Sequence, residues 1–237
     1  MSKYQITEYT LSAPCGLRLA IVADLHNQYG GPAAEAVRAT SPDAILIVGD
    51  FYETPPRRSY TRYEEAVAFL EGVTGIPVFY SRGNHDYELP STLYDTMTSH
   101  GVTVLLDEST TFFGIHIGGL NSAEFEKGKV PNLDFLHAFS SLDGYKLLLC
   151  HHPEYYRHIA PLPINLTIAG HAHGGQWRFF GKGIFSPGQG LFPKYTSGLY
   201  ENGRLLVSRG MKVRTPPVPR LFNSPELVLL HLTPEKE

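Results

Sequence analysis

The chain has 237 residues, is 42% hydrophobic and 18% charged, and carries a formal net charge of −3. That apolar fraction supports a sizeable core and excludes general disorder, and the low charged fraction argues against a coiled coil. The acidic balance leaves no nucleic-acid patch, and the longest apolar runs, Ala44 to Val48 among them, fall far short of the ~20 residues of a membrane-spanning helix.

In chain order, Leu17 to Ala23 is a short β-branched run that reads as a buried strand. Gly30-Gly31-Pro32 opens a helix over Ala33–Thr40, and Asp43 to Val48 is a second buried strand ended by Gly49. Thr61-x-x-Glu64 is a capping box before a helix that carries Ala66, Val67, Phe69 and Leu70 on one face. Pro77 to Tyr80 is a third strand, and a helix over 91–99 stops at Gly101. This β-α-β-α-β-α order predicts a parallel sheet with helical crossovers.

Short strands then follow at Val102–Leu106, Thr110–Phe113 and Ile115–Gly118, with a helix near Leu133–Phe139. Lys146–Cys150, Ile164–Ala169 and Glu226–Leu232 read as further strands. Trp177–Phe180 and Leu199–Ser208 read as antiparallel, with Asn202-Gly203 where a type I′ hairpin turn would sit. The whole predicts one domain over 1–237, an α/β four-layer α-β-β-α sandwich of two mixed β-sheets. The start, Met1 to Ile6, has no signal-peptide pattern, and Cys15 and Cys150 make no disulfide framework. Both read as buried thiols of a cytoplasmic protein.

The chemistry sits just after the strands. Asp24-Leu25-His26 follows the first, and residues i and i+2 of an extended segment point the same way. Gly49-Asp50 follows the second strand and Gly83-Asn84-His85-Asp86 the third, at spacings near one βαβ unit. His151-His152-Pro153 and Gly170-His171-Ala172-His173-Gly174-Gly175 follow two later strands. Ligands bind at carboxyl strand ends in open α/β sheets, and His nitrogen with carboxylate oxygen suits borderline metals. The set Asp24, His26, Asp50, Asn84, His151, His171 and His173 is large enough for two divalent transition-metal ions sharing a carboxylate, with Mn, Fe and Zn all compatible.

The series Asp24-x-His26, Gly49-Asp50, Gly83-Asn84-His85-Asp86, His151 and Gly170-His171-x-His173 resembles the calcineurin-like metallophosphoesterase family. Gly174-Gly175-Gln176, Gly198-Leu199-Tyr200 and Val207-Ser208-Arg209-Gly210 resemble its bacterial YkuE/YaeI-type branch. The resemblance implies one metal held by Asp24, His26, Asp50 and His173. It implies a second held by Asp50, Asn84, His151 and His171, with Asp50 bridging. It further implies hydrolysis of a small-molecule phosphomonoester or phosphodiester by a metal-bridging water, with His85 facing the leaving group and Asp86 fixing the tautomer of His85. Two alternatives remain open here: a UDP-2,3-diacylglucosamine-type pyrophosphatase, and a non-catalytic scaffold of the same fold. Loss of ligands would mark a scaffold, and none is missing.

Residues 1–118 carry 7 Lys or Arg against 14 Asp or Glu, whereas residues 119–237 carry 13 against 9. The basic excess, from Arg204 to Arg220, hints at an anionic partner or at a solvated loop. Arg82 and Arg209 could each contact a phosphate or form a structural ion pair. Tyr52, Tyr87 and Trp177 adjoin the motifs as pocket lining or as packing, and His152 reads as pocket wall. His100, beside Gly101, reads as an electrostatic helix cap.

Overall fold

The computed structural model describes residues 3–53, 62–87, 89–122, 130–186, 189–215 and 218–234. Its first sheet contains β1 (Gln5–Ser12), β2 (Leu17–Val22), β3 (Ala44–Val48), β4 (Val78–Ser81), β5 (Val102–Val104) and the last strand of the chain, β16 (Glu226–Thr233). The spatial order is β1-β16-β2-β3-β4-β5. From β2 to β5 the pairing is parallel, whereas β16 runs antiparallel to β2 and parallel to β1.

The second sheet is built from β6 (Glu108–Phe112), β7 (Ile115–Gly119), β8 (Tyr145–Leu149), β9 (Leu166–Ala169), β14 (Gly198–Tyr200) and β15 (Leu205–Val207). Its order is β14-β15-β9-β8-β7-β6, with the central four strands parallel and both edges antiparallel. Two small hairpins lie outside the sheets: β10 (Arg178–Phe179) with β11 (Lys182–Gly183), and β12 (Phe185–Ser186) with β13 (Gly190–Leu191).

The period-2 alternation of the strands produces the layers. In β3, Leu46 and Val48 pack into a core with Ile117, Leu147, Leu149 and Ile168 of the other sheet. Ile45 and Ile47 face the opposite way, toward α1 (Gly30–Ala39), α2 (Tyr63–Gly72) and α3 (Ser91–Ser99), whose Val37, Phe69 and Met97 share their cluster. On the far side, Leu148 and Leu205 pack against α4 (Leu133–Ser140) and α5 (Tyr156–Ile159) through Leu136, Phe139 and Ile159. Four layers result, in the order α-β-β-α. Each fully buried Ile or Leu contributes about 1.5–3 kcal/mol, so an all-buried run such as Ala44 to Val48 could not be left as a surface strand.

Several local expectations are refined. Thr61, the proposed cap of α2, lies outside the described residues, and the observed N-cap is Arg62, with no side-chain cap bond. The first amide of α1, at Gly30, donates to the Glu65 carboxylate of α2 at 2.7 Å, so one helix caps the other. β14 and β15 do form an antiparallel hairpin. Its loop is the four residues 201–204, with positive φ at Glu201, Asn202 and Gly203, instead of a two-residue turn. Cys150 is buried but Cys15 is only partly so. Strand β1 has no counterpart in the sequence reading: half-exposed edge residues give it no apolar run to detect.

Candidate metal centre

Every strand of the two parallel blocks that precedes a motif ends at the same edge. Asp24 follows β2 and Asp50 follows β3, and the backbone locks them together: Asp24 N donates to Gly49 O at 3.1 Å and His26 N to Asp50 O at 2.8 Å. His171, after β9, donates its amide to Asp24 Oδ1 at 3.1 Å, which joins the second sheet to the first. The segment after β15 crosses as well, with Met211 N donating to Ala23 O at 2.8 Å.

The chain turns sharply at these points. Asp24, His26, Asp50, His171 and His173 all have positive φ, an uncommon backbone state for non-glycine residues that Asp, Asn and His tolerate best. Such strain concentrates where side chains must converge. Gly49 is needed for the same reason: at φ +73° a Cβ would lie 2.5 Å from His151 Nδ1.

The converging atoms make a buried polar chamber. Asp50 Oδ2 lies 3.5 Å from His26 Nε2 and 3.2 Å from His151 Nε2, and Asp24 Oδ1 lies 3.7 Å from His173 Nε2 and 3.9 Å from His151 Nε2. Asp24, His26 and His173 can each offer a donor atom within 4.8 Å of the others, and so can Asp24, Asp50 and His151. A third such group is His151, His152 and His171. Asp24 Oδ2, Asp50 Oδ2, His26 Nε2, His151 Nε2 and Asn84 Oδ1 are buried without a hydrogen-bond partner among the described residues. Buried polar atoms are ordinarily paired, and leaving one unpaired costs roughly 1–3 kcal/mol. Five in one chamber, all oxygen or imidazole nitrogen, fit the donor set of a transition-metal site.

The protonation states agree. Burial, reinforced by Lys212, lowers the His26 pKa to about 3. Burial and the neighbouring His151 lower that of His171 to about 3 as well, and His173 is held well below its ordinary value chiefly by burial. These imidazoles keep their lone pairs at neutral pH, as metal ligands must. Burial also acts against charge on His151, but Asp50 and Asp24 outweigh it and lift its pKa to about 10. Its Nδ1 lies 2.8 Å from Val48 O, which accepts from it and aims Nε2 at the two carboxylates. Asp50 is held well below the carboxylate range: the imidazoles of His151, His85 and His26 together overcome its burial. Burial raises Asp24 to about 6. A pair of buried carboxylates that pulls a proton onto a histidine is a place where positive charge is strongly favoured.

Around this floor, His85 is partly exposed, its ring 4.7 Å from that of His26, and its amide donates to Asp50 Oδ1 at 2.8 Å. The carboxylate of Asp86 accepts from the amides of Phe51, Tyr52 and Gly83 at 3.3, 2.7 and 3.0 Å, tying the loop after β3 to the loop after β4. The carboxylate opposite His85 Nδ1 is that of Glu53, at 3.8 Å. Glu53 also lies 3.3 Å from His26 Nδ1 and 3.6 Å from Lys212 Nζ. Sequence reasoning missed Glu53. Its one signal was a position three residues beyond Asp50 on the same turn.

The basic stretch divides by contact. Arg204 donates to the carbonyls of Ala160, Leu162 and Ile164, and Arg209 pairs with Glu226 at 2.8 Å, so both are structural. Half-buried Arg220 reaches His173 Nδ1 at 3.3 Å and, like Lys212, borders the chamber. Tyr52 is buried, whereas Tyr87 and Trp177 are exposed. His100 is the C-cap residue of α3 and its Nδ1 lies 3.2 Å from Thr74 Oγ1.

Residues 17–175 match the family of calcineurin-like phosphoesterases. The chain belongs to that family. As a calcineurin-like phosphoesterase it is a metal-dependent hydrolase of phosphoric esters. It is 30% identical to the uncharacterized protein YpbG of Bacillus subtilis (strain 168), over 91% of this chain and 81% of that one. It is 28% identical to the uncharacterized metallophosphoesterase YkuE of the same organism, over 83% of this chain and 70% of the relative. The crystal structure of TT1561 from Thermus thermophilus superposes with a TM-score of 0.50 at 15% identity, covering 66% of this chain and 82% of that one, a likeness of fold. Among the described residues, no helix of this phosphoesterase is long and apolar enough to cross a membrane.

Proposed function

We propose that this phosphoesterase works with two divalent transition-metal ions, on a phosphomonoester or phosphodiester, as one domain spanning 1–237. The observation that carries the reading is the position of Asp50 Oδ2, between His26 Nε2 at 3.5 Å and His151 Nε2 at 3.2 Å. One carboxylate oxygen flanked by imidazoles from two different sheets is suited to a shared ligand. Asp24, His26 and His173 would complete the set on one side, and Asn84, His151 and His171 on the other. When bound, the ions supply Lewis-acid activation of water and neutralise charge on the phosphoryl oxygens.

The chain's own groups account for the rest. Asn84 contributes a neutral oxygen, which keeps the chamber cationic toward a phosphate. Lys212 and Arg220 add positive charge at its border. His85 stands beside the chamber and partly exposed; with Nδ1 facing Glu53, its Nε2 is left to hold a proton for the leaving-group oxygen. Asp86 keeps the two loops that carry Asp50 and His85 in register through its three backbone amides.

The test is metal analysis of carefully purified protein, with turnover of bis-p-nitrophenyl phosphate and p-nitrophenyl phosphate after Mn, Fe or Zn is added to apo-protein. The expected content approaches two equivalents per chain, with activity restored by metal. A stoichiometry that stays at one or below under replete conditions rejects the binuclear reading.

A further inference from the structure

Beyond the chamber, the segment after His173 exposes an unusual amount of aromatic surface. Phe180 is fully exposed, and Phe222 and Phe192 are 81% and 77% exposed. Phe179, Phe185 and Leu191 are exposed as well. These residues belong to one small unit held by backbone bonds. Arg178 N donates to Leu221 O at 3.0 Å, Ile184 N to Trp177 O at 2.9 Å, and Phe192 N to Ile184 O at 2.8 Å. Phe179 and Phe222 stack edge to face at 5.7 Å, and with Phe180 they line a hollow of about 320 Å³.

The backbone state of these residues is the second observation. Phe180, Phe192 and Phe222 have φ of 49°, 52° and 53°. For a bulky residue the left-handed region is a genuine outlier, and glycine or asparagine would hold each turn with less strain. Three separate turns thus carry a strained phenylalanine that is directed into solvent. Neither folding nor solubility is served by that choice. Apolar surface on this scale marks a binding face.

The third observation is charge. Between residues 176 and 225 the sequence has eight Lys or Arg and one acid, Glu201, although Arg178, Arg204, Arg209, Lys212 and Arg220 are engaged within the fold. Glu201 is paired with Lys194 at 2.8 Å. Lys182 and Arg214 are exposed in the same region, and Lys182 lies two residues from Phe180. Aromatic side chains on turn tips, flanked by the exposed Lys182 and Arg214, match the interface of an anionic bilayer: rings enter the headgroup layer and cations meet lipid phosphates.

We propose that the small unit formed by residues 176–192 and 218–222 docks this protein peripherally on an anionic phospholipid surface. The unit is tied directly to the candidate metal chamber, since Arg220 reaches His173 Nδ1 and Asn223, next to Phe222, donates to both His173 O at 2.7 Å and Gln176 O at 3.1 Å. Docking therefore sets the mouth of the chamber near the headgroups. It does not depend on which ester is cleaved or on how many metals are held.

Trp177, the single tryptophan of the chain, is exposed within the unit and reports on it without any mutation. The experiment uses the full chain with vesicles of phosphatidylcholine alone or with about 30 mol% phosphatidylglycerol. Expected are co-sedimentation with the anionic vesicles only, weakening with salt, and a blue-shifted Trp177 emission that brominated lipids quench. The triple variant Phe180→Ser, Phe192→Ser, Phe222→Ser should lose about tenfold or more of the partitioning, with hydrolysis of a soluble ester unaltered. If that variant does not fold, the wild-type Trp177 response decides alone. Unshifted emission and no co-sedimentation at low salt overturn the proposal, as does undiminished binding by the triple variant. So does a dimer in solution that the triple variant dissolves, which would assign the surface to a second copy of the chain.

Discussion

The metal chamber and the aromatic unit are neighbours in sequence, and they invert each other's rules. In the chamber, polar atoms that would normally face water are buried, and Asp24, Asp50 and His151 are aimed by backbone groups of His171, His85 and Val48. In the aromatic unit of 176–192 and 218–222, rings that would normally be buried stand in solvent, three of them on turns beside short two-residue strands. Both regions hold residues at positive φ, and in both the strain serves to direct a side chain. Departures from ordinary burial in this molecule are thus local and paired with a purpose: inward polarity for cations, outward apolarity for a surface.

The sharpest way to break that contrast is at Asp50. Asp50→Asn should reduce activity to background and lower metal content at both positions together, because a neutral amide cannot offset two nearby cations. Thermal melts of apo and metal-loaded protein supply the check. Ligands that bind only the folded state raise its stability, so wild type should melt higher with Mn²⁺ and Asp50→Asn should shift little. A wild-type shift in that variant would remove Asp50 from the shared position.

A step down in magnitude, His85→Ala should cut kcat by roughly 10²-fold with metal content intact, the usual scale for a positioned acid. Glu53→Gln, which leaves shape but removes the charge facing His26 and His85, should cost about 10–100-fold in activity or metal affinity. Metal titrations beside kcat separate the two residues: His85 acts on turnover alone, Glu53 on both. The smallest effect belongs to the outer region. Phe180→Ser should change unfolding free energy by no more than about 0.5 kcal/mol in a denaturant titration, since the ring packs against little. A larger loss would mean that the ring is structural after all.

Much of the inner region was legible in the sequence, because strand ends announce themselves. Each ligand-bearing motif follows a buried apolar run, and the 26 residues from Asp24 to Asp50 and the 34 from Asp50 to Asn84 match the pitch of a βαβ unit. What escaped lacks any period. Glu53 reaches the chamber through a turn whose path no local pattern encodes. Asp86 adjoins His85 in sequence, yet the turn carries its carboxylate toward three backbone amides, a placement that adjacency does not reveal. Edge strand β1 was invisible because its residues are half wet. The exposed phenylalanines drew no reading at all, since composition gives a phenylalanine no mark for which side of the surface it occupies.

The pairing of β1 with β16 has a consequence for how the molecule is made. Thr7 Oγ1 donates to Glu226 Oε1 at 2.7 Å, across 219 positions of chain. β16 also fills the gap between β1 and β2, so during vectorial synthesis β2, and Asp24 at its end, must wait with an open flank for residues made roughly two hundred positions later. Glu226 then fastens Arg209, next to Gly210, whose Cβ-less backbone packs against the Asp24 carboxylate. Such long-range closure is slow and comes late in folding. A growing chain on the ribosome therefore carries every candidate metal ligand through His173 before it has the strand that finishes their enclosure, and the ability to hold ions tightly should arrive all at once, with the last strand.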